Sequence, residues 1–198
     1  MADVLVTWYS RSGSTETVAR ALAARLGADA RPIRTSVSYA GAGGFVRGVW
    51  ESLRRRAPDI TLDADPGAYR LVVAGGPIWA GKPAAPLRSF LRRHGPRAKA
   101  VAAFCLSGSG GSYPAAFAEI EDLVGSPLVA TLSLAQHDVM GGDYGRELDG
   151  FARALPGGRA AALDGPRTDG VDGRPCPTSP RSIPTSPPAR DSESPRSV

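Results

Sequence analysis

Seven residues at positions 9–15, between a short apolar segment and a helical pattern, are suited to holding an anion. They read Tyr-Ser-Arg-Ser-Gly-Ser-Thr. The first N–H groups of a helix have no partner within the helix, and the helix dipole favours an anion at that end. Gly13 can adopt a left-handed conformation in which neighbouring N–H groups converge on one oxyanion. The pattern predicts a phosphate site, with further donors from the hydroxyls of Ser10, Ser12, Ser14 and Thr15.

The same loop can also be interpreted as an ordinary helix N-cap, because serine and threonine commonly precede helices. One cap needs only one hydroxyl, and this loop has four within six residues. We therefore favour the phosphate site. The loop has no Gly-x-Gly-x-x-Gly motif, so we expect a single terminal phosphate here rather than the pyrophosphate of a dinucleotide.

A second candidate loop, at positions 75–83, reads Gly-Gly-Pro-Ile-Trp-Ala-Gly-Lys-Pro. It has the glycine and lysine spacing of a P-loop. However, Pro83 stands where a P-loop needs serine or threonine, and Pro77 removes an N–H donor. The loop instead offers Trp79, which we expect to be exposed and to stack on a flat ring. The alternative is a tryptophan that folds back over the helix predicted to follow.

The third candidate loop, at positions 107–113, reads Ser-Gly-Ser-Gly-Gly-Ser-Tyr. Its small residues let a ligand approach the backbone closely, and Tyr113 could cover the second face of a flat ring. Ser112 could also cap a helix that starts at Tyr113-Pro114, and the two roles are compatible. His137 follows the last predicted strand at the same edge of the sheet. It is either a substrate contact or an ordinary surface histidine.

The spacing around these loops excludes three catalytic classes. A low-molecular-weight tyrosine phosphatase would need arginine six positions after Cys105, where the chain has Gly111. A Gly-x-Ser-x-Gly elbow is absent at Ser109, because the residue two positions before it is serine. A receiver domain would carry acidic residues where the first and third strands end, and the chain has Tyr9 and Gly76 there.

Short apolar segments alternate with helical patterns along the chain, which is typical of a parallel sheet covered by helices on both faces. The predicted strands are residues 4–8, 30–35, 71–75, 99–106 and 128–134. The predicted helices are residues 16–26, 45–56, 85–94, 114–124 and 144–155. Pro32 interrupts the second strand, as is usual at a sheet edge. We predict an α/β fold with a five-stranded parallel sheet of order 2-1-3-4-5. Its ligand site should lie at the carboxyl ends of the strands, where the three loops converge.

The composition changes near residue 156. From there to residue 198 the chain holds half of its 18 prolines and few large apolar residues. Such a segment cannot bury enough apolar surface to offset the entropy of ordering it. We therefore predict a folded domain at residues 1–155 and a disordered tail at residues 156–198.

The chain is basic, with 24 lysine and arginine residues against 19 acidic ones and a net charge of +5. Arginine clusters such as Arg54, Arg55 and Arg56 are interpreted as solvated helix faces, and we expect no nucleic-acid partner. Cys105 and Cys176 form neither a disulfide framework nor a metal-binding pattern. Because there is no signal-peptide pattern and no apolar run long enough to span a membrane, we expect a cytosolic protein.

Together, the three loop sequences and their positions after the first, third and fourth strands resemble the flavodoxin family. The resemblance implies a flavodoxin-like three-layer sandwich with FMN as cofactor. It implies that the FMN phosphate is held by Ser10, Arg11, Ser12, Gly13, Ser14 and Thr15. It implies that the isoalloxazine ring is lined by Pro77, Ile78, Trp79, Ala80 and Gly81. Further ring and ribityl contacts are implied for Ser107, Gly108, Ser109, Gly110 and Tyr113.

Electron-carrier flavodoxins are strongly acidic, whereas this chain has Arg11 beside the expected phosphate and Lys82 in the ring loop. A cation near the flavin should stabilise its reduced anion and raise its potential. The resemblance is therefore closer to the flavodoxin-like reductases of bacteria. It implies an oxidoreductase that passes electrons from NAD(P)H or a protein donor to a quinone-like acceptor, with Tyr113 and His137 as candidate substrate contacts.

Two alternative functions stay open at this point. The first is a one-electron flavodoxin without its own small-molecule substrate. The second is a non-enzymatic binding domain whose tail recruits a partner. The resemblance also admits a homodimer, because reductase-like relatives often place an exposed flavin face at a dimer seam.

Overall fold

A computed structural model describes residues 2–54 and 56–156 of the 198-residue chain. Its strands are β1 (Val4–Trp8), β2 (Asp29–Pro32), β3 (Arg34–Thr35), β4 (Ile60–Thr61), β5 (Leu71–Trp79), β6 (Lys82–Pro83), β7 (Val101–Ser107) and β8 (Thr131–Ala135). Its α-helices are α1 (Ser14–Leu26), α2 (Gly41–Leu53), α3 (Ala85–His94), α4 (Pro114–Val124), α5 (Gln136–Gly141) and α6 (Gly145–Ala154). The sequence predicted every long element, but it missed the short β4, β6 and α5.

Five parallel strands form the central sheet in the order β2-β1-β5-β7-β8. Numbered along the chain, these strands lie in the order 2-1-3-4-5, so the predicted topology is confirmed. The register sets Trp8 of β1 opposite Gly75 of β5, and Gly75 opposite Phe104 of β7. The carboxyl ends of the three strands therefore meet at one edge of the sheet, where the strand order reverses between β1 and β5.

The second predicted strand, residues 30–35, is wrong as a single strand. β2 ends at Pro32, and β3 resumes at Arg34 in a separate two-stranded antiparallel sheet with β4. Proline has no N–H to donate and is found mainly at sheet edges. β2 accordingly lies at the edge of the central sheet and pairs with β1.

Two apolar layers cover the central sheet, one on each face. On one face, Val6 and Val73 pack with Leu22 of α1 and Leu148 of α6. On the other face, the apolar cluster includes Phe90 of α3 and Ile120 of α4, among other buried residues. The apolar residues of both layers are buried, and together with the sheet they form the predicted three-layer sandwich.

The described helices include none that is long and apolar enough to cross a membrane. The predicted tail lies outside the described residues from residue 157 onward, and the domain boundary at residue 155 stays a prediction.

Candidate functional site

The loop between β1 and α1 is built largely by its own residues. Gly13 has a positive φ of 96°, a conformation that side chains with a Cβ rarely adopt. The N–H of Gly13 donates to Oγ of Ser10 over 3.0 Å, and this bond closes the loop. Helix α1 then starts at Ser14, two residues earlier than predicted. The first N–H groups of α1, together with the hydroxyls of Ser12 and Ser14, are thereby brought to one end of the helix.

A cavity of about 250 Å³ opens at this end of the sheet. The loop after β1, the carboxyl-terminal part of β5 and the loop after β7 all contribute to it, at the edge that the topology predicts. Its lining residues are Arg11, Ser12, Ser14, Thr15, Phe45, Pro77, Ile78, Trp79, Leu106, Gly108 and Gln136.

The cavity has two chemically different walls. The loop wall presents the hydroxyls of Ser12, Ser14 and Thr15, and it carries Arg11, the one cation among the lining residues. The apolar wall is formed by side chains from β5, α2 and β7, and the lining includes no carboxylate. The Arg11 guanidinium lies 5.1 Å from the centre of the Phe45 ring, and this cation–π contact joins the two walls. An anionic ligand with an apolar portion fits this distribution of charge.

Trp79 is not exposed, so that part of the prediction for the second loop is wrong. Only 3% of its surface is accessible. Its ring lies edge-on to Tyr9, with centroids 5.9 Å apart, and it is tilted against Tyr39 at 5.3 Å. Helix α2 covers it, and a Cβ atom on Gly48 would come within 2.7 Å of Cζ3 of the indole. The covering helix is α2, not the following helix α3 that the alternative interpretation named.

A buried carboxylate holds this aromatic cluster to α2. Glu51 accepts hydrogen bonds from the phenol of Tyr39 and from Nε of Arg47, the latter over 2.8 Å. Burial alone would raise the pKa of Glu51. The hydrogen bonds from Tyr39 and Arg47, with the charges of Arg47 and Arg56, outweigh burial and lower it. Burial raises the pKa of Tyr9 to about 12, although the charge of Arg11 opposes this rise, so Tyr9 stays neutral beside the cavity.

The second loop forms a tight hairpin between β5 and β6. Its turn residues are Ala80 and Gly81, with positive φ angles of 49° and 75°. Two positive φ angles at these positions fit a type I′ turn, which matches the twist of the flanking strands. Both residues are exposed at the tip and do not line the cavity.

An ion-pair network connects this hairpin to the helix that follows the third loop. Nζ of Lys82 lies 3.4 Å from Oε2 of Glu119 in α4, and Oε1 of Glu119 lies 2.7 Å from Nε of Arg88 in α3. The side chain of Arg88 is almost fully buried. Removing one member of a buried ion pair leaves an uncompensated charge, so Glu119 stabilises both neighbours. The network also fixes the hairpin relative to the third loop.

The third loop carries its own hydrogen bonds. The N–H of Gly110 donates to Oγ of Ser107 over 3.0 Å, and Oγ of Ser109 lies 2.7 Å from the phenol oxygen of Tyr113. Hydrogen bonding from Ser107 and then Ser109 lowers the pKa of Tyr113. His137 is exposed beside this loop, with Nε2 3.0 Å from Oδ1 of Asp138. These polar groups lie at the edge of the sheet, outside the residues that line the cavity.

The structure brings eight of the proposed binding residues together around the cavity. These are Arg11, Ser12, Ser14, Thr15, Pro77, Ile78, Trp79 and Gly108. The other proposed binding residues are not among those that line the cavity: Ser10, Gly13, Ala80, Gly81, Ser107, Ser109, Gly110 and Tyr113. The proposed substrate contact His137 does not line it either.

Sequence reasoning missed three lining residues, which are Phe45, Leu106 and Gln136. Leu106 and Gln136 could have been found, because each lies at or just beyond the carboxyl end of a predicted strand. Phe45 could not, because it reaches the cavity through the placement of α2.

The fold of the chain is similar to that of solved flavoprotein structures. The Lactobacillus acidophilus flavoprotein in complex with FMN matches 71% of this chain and 98% of its own, with a TM-score of 0.58 and 21% sequence identity. A proposed flavoprotein from Bacteroides eggerthii matches 77% of this chain and 99% of its own, with a TM-score of 0.59 and 23% identity. The apo form of the Lactobacillus flavoprotein matches 68% of this chain and 93% of its own, with a TM-score of 0.54 and 21% sequence identity.

No protein-family model matches the chain, and no curated protein sequence matches it either. Because the sequence identities are below 25%, the structural similarity establishes the fold of the chain and nothing more specific. The chain therefore has the flavodoxin-like fold that its three loop sequences implied.

Proposed function

We propose that this chain is an FMN-binding oxidoreductase. The observation that supports the proposal is that one cavity has a polar, positively charged wall and an apolar wall. One wall offers hydroxyls, a cation and a helix N-terminus. The other offers apolar side chains, and no carboxylate lies between them. A flavin mononucleotide has the matching parts, an anionic phosphate at one end and a flat, largely apolar ring at the other. The FMN complex of the Lactobacillus relative supports the same choice.

The residues that line the cavity fit this cofactor, and their chemistry indicates where its phosphate and its ring would lie. Arg11, Ser12, Ser14 and Thr15 would hold the phosphate together with the N–H groups of α1. Pro77 and Ile78 would lie against the ring. Trp79 would support the ring from a fixed, buried position, and Gly108 would allow close approach from the third loop.

The cavity, at about 250 Å³, is somewhat below the ~300–1,000 Å³ usual for sites that enclose a ligand of this size. Part of the ring would therefore stay accessible at the surface. When bound, FMN supplies electron transfer in steps of one or two electrons. The accessible edge is where a donor such as NAD(P)H or a redox protein, and a quinone-like acceptor, would meet it.

The side chains at the rim of the cavity would orient substrate and move protons. The lowered pKa of Tyr113 makes its phenol a better proton donor, and the hydrogen bond to Ser109 holds it in place. His137 is exposed beside the same loop and would reach a bound acceptor from solvent. These two residues are therefore the proposed substrate contacts.

The charge near the ring differs from the sequence-based expectation. The sequence places the cation Lys82 in the ring loop, but Nζ of Lys82 lies 3.4 Å from a carboxylate oxygen of Glu119. Its field at the cavity is therefore partly cancelled. Arg11 is the cation that would stabilise a reduced, anionic flavin, so the proposed rise in potential rests mainly on Arg11.

The cofactor proposal is tested by titrating the purified chain with FMN and with riboflavin, which lacks the phosphate. We expect FMN to bind at least about 10-fold more tightly, because charge-assisted hydrogen bonds contribute about 1.5–3 kcal/mol each. NADH or NADPH should then bleach the visible absorption of the FMN complex without oxygen. No uptake of FMN would contradict the cofactor assignment. Uptake without bleaching would contradict the NAD(P)H donor.

The second candidate function is a one-electron shuttle that reacts with protein partners alone. An exposed apolar face on α2, beside the cavity, favours this candidate, because such a face suits contact with another protein. The cytosolic location and the state of association stay predictions.

A further inference from the structure

Helix α2 presents an apolar face to solvent. Four of its large apolar side chains are exposed by 42–66%, and we call them the α2 face: Phe45, Val46, Trp50 and Leu53. Elsewhere in the described part of the chain, only Val129 and Met140 are large apolar residues with comparable exposure. Concentrated exposure of this kind marks an interaction site rather than scattered surface residues.

The α2 face follows from the helical geometry of its sequence. At 100° per residue, the four side chains fall within one arc of the helix, and Gly48, Glu51 and Ser52 point the other way. That inner side is buried against the aromatic cluster around Trp79. An ordinary amphipathic helix buries its apolar stripe and exposes its polar one. Here the larger apolar stripe is the one that faces outward.

Guanidinium groups border the α2 face. Arg54 and Arg56 lie over the Trp50 ring, 4.7 and 5.0 Å from its centroid, and Arg11 lies over Phe45. Within the described residues, neither Arg54 nor Arg56 forms an ion pair, whereas Arg47 is paired with the buried Glu51. The helix has no other carboxylate. The surface is thus apolar at its centre and positive at its border.

The α2 face continues into the candidate cofactor site. Phe45 belongs to both, since it is 43% exposed and also lines the cavity with Arg11. A protein seated on this face would cover the rim of the cavity. The position suits a partner that exchanges electrons with a group inside it.

We propose that the α2 face is the docking surface for an acidic electron-carrier protein, an inference that rests on the proposed function. The occupant is acidic because the arginines at the border of the face outnumber the single carboxylate of α2, and complementary charge both steers and orients association. A second copy of this chain is disfavoured as occupant. The face of a second copy would offer no opposite charge to Arg54 and Arg56, because the only carboxylate of α2 is the buried Glu51.

The test is an isothermal titration of the full chain, with and without FMN, against two probes of opposite charge. The acidic probe is a plant-type [2Fe–2S] ferredoxin, and the basic probe is cytochrome c. We expect ferredoxin to bind and cytochrome c not to bind. The ferredoxin affinity should fall at least about 10-fold when NaCl rises from about 50 to about 300 mM, because salt screens the charge contacts.

Two variants probe the centre and the border of the face separately. Trp50→Ser and Arg54→Glu should each weaken ferredoxin binding about 10-fold or more, as expected for aromatic and arginine anchors. Val129→Ser and Arg92→Glu are the matched controls, because both positions are exposed and lie outside α2. These controls should leave the affinity unchanged. None of the four substituted residues lines the cavity, so FMN uptake should persist in all four variants.

Several outcomes would overturn the proposal. One is an absence of ferredoxin binding, and another is binding that Trp50→Ser and Arg54→Glu leave unchanged. A third is a dimer by sedimentation that Leu53→Ser dissociates, since this would assign the face to a second copy. FMN uptake without ferredoxin binding would refute the docking surface alone. Ferredoxin binding without FMN uptake would refute the cofactor and leave the docking surface standing.

Discussion

The two walls of the cavity differ in how the chain builds them. The loop wall, residues 10–15, is a continuous segment closed by a hydrogen bond between Ser10 and Gly13. The apolar wall depends on contacts between distant segments, in which Tyr9, Tyr39 and Trp79 meet beneath α2. A short segment can encode the first wall by itself. The second exists only when the whole fold is in place, so substitutions there should affect stability as well as binding.

The largest effect is expected from removing the buried indole of the apolar wall. Trp79→Ala should destabilise the fold by about 3–5 kcal/mol, the usual cost of truncating a buried aromatic side chain. Trp50→Ala is the matched control, because Trp50 is 42% exposed. It should cost about 1 kcal/mol or less. Urea unfolding measures both values. An equal loss of unfolding free energy in the two variants would contradict the burial of Trp79.

Substitutions in the loop wall should change the affinity for FMN and leave the stability of the fold unchanged. Replacing both Ser12 and Ser14 with alanine should weaken FMN binding by about 1.5–3 kcal/mol for each charge-assisted bond lost. Riboflavin affinity should stay unchanged, since riboflavin has no phosphate. Ser126→Ala, in an exposed loop, is the control. A parallel loss of riboflavin affinity would place the two hydroxyls at the ring instead of the phosphate.

A smaller effect is expected from lowering the pH, which should reduce the contribution of Glu51 in α2 to the stability of the fold. The pKa of Glu51 is lower in the folded chain than its ordinary value of 4.5. Its contribution to stability is therefore present above about pH 4.5, and it is lost as the pH falls through the folded value. In urea unfolding at pH 7 and pH 4, Glu51→Gln should lose less stability on acidification than the natural chain. Glu147→Gln, exposed on α6, should behave like the natural chain. Identical acid sensitivity with and without Glu51 would contradict this coupling.

The same difference explains what the sequence could predict. The strand order, the positions of the three loops and the hydroxyls of Ser12, Ser14 and Thr15 follow from periodicity and local turn chemistry. The burial of Trp79 does not, because it depends on where α2 lies. The sequence shows an aromatic residue on a turn. It does not show that Gly48, some thirty residues earlier, leaves room for the indole beneath a helix.

The buried residues of α2 are Gly48, Glu51 and Ser52, and Val49 is partly buried against the core. These residues bury little apolar area, so the hydrophobic contribution to the packing of α2 on the rest of the domain is small. Local opening of α2 should therefore require less free energy than global unfolding, whereas α3 is fixed by buried residues such as Leu87, Phe90 and Leu91. The helix that closes the apolar wall is thus better able than α3 to open transiently. Such an opening would uncover the Trp79 indole while the sheet beneath stays intact.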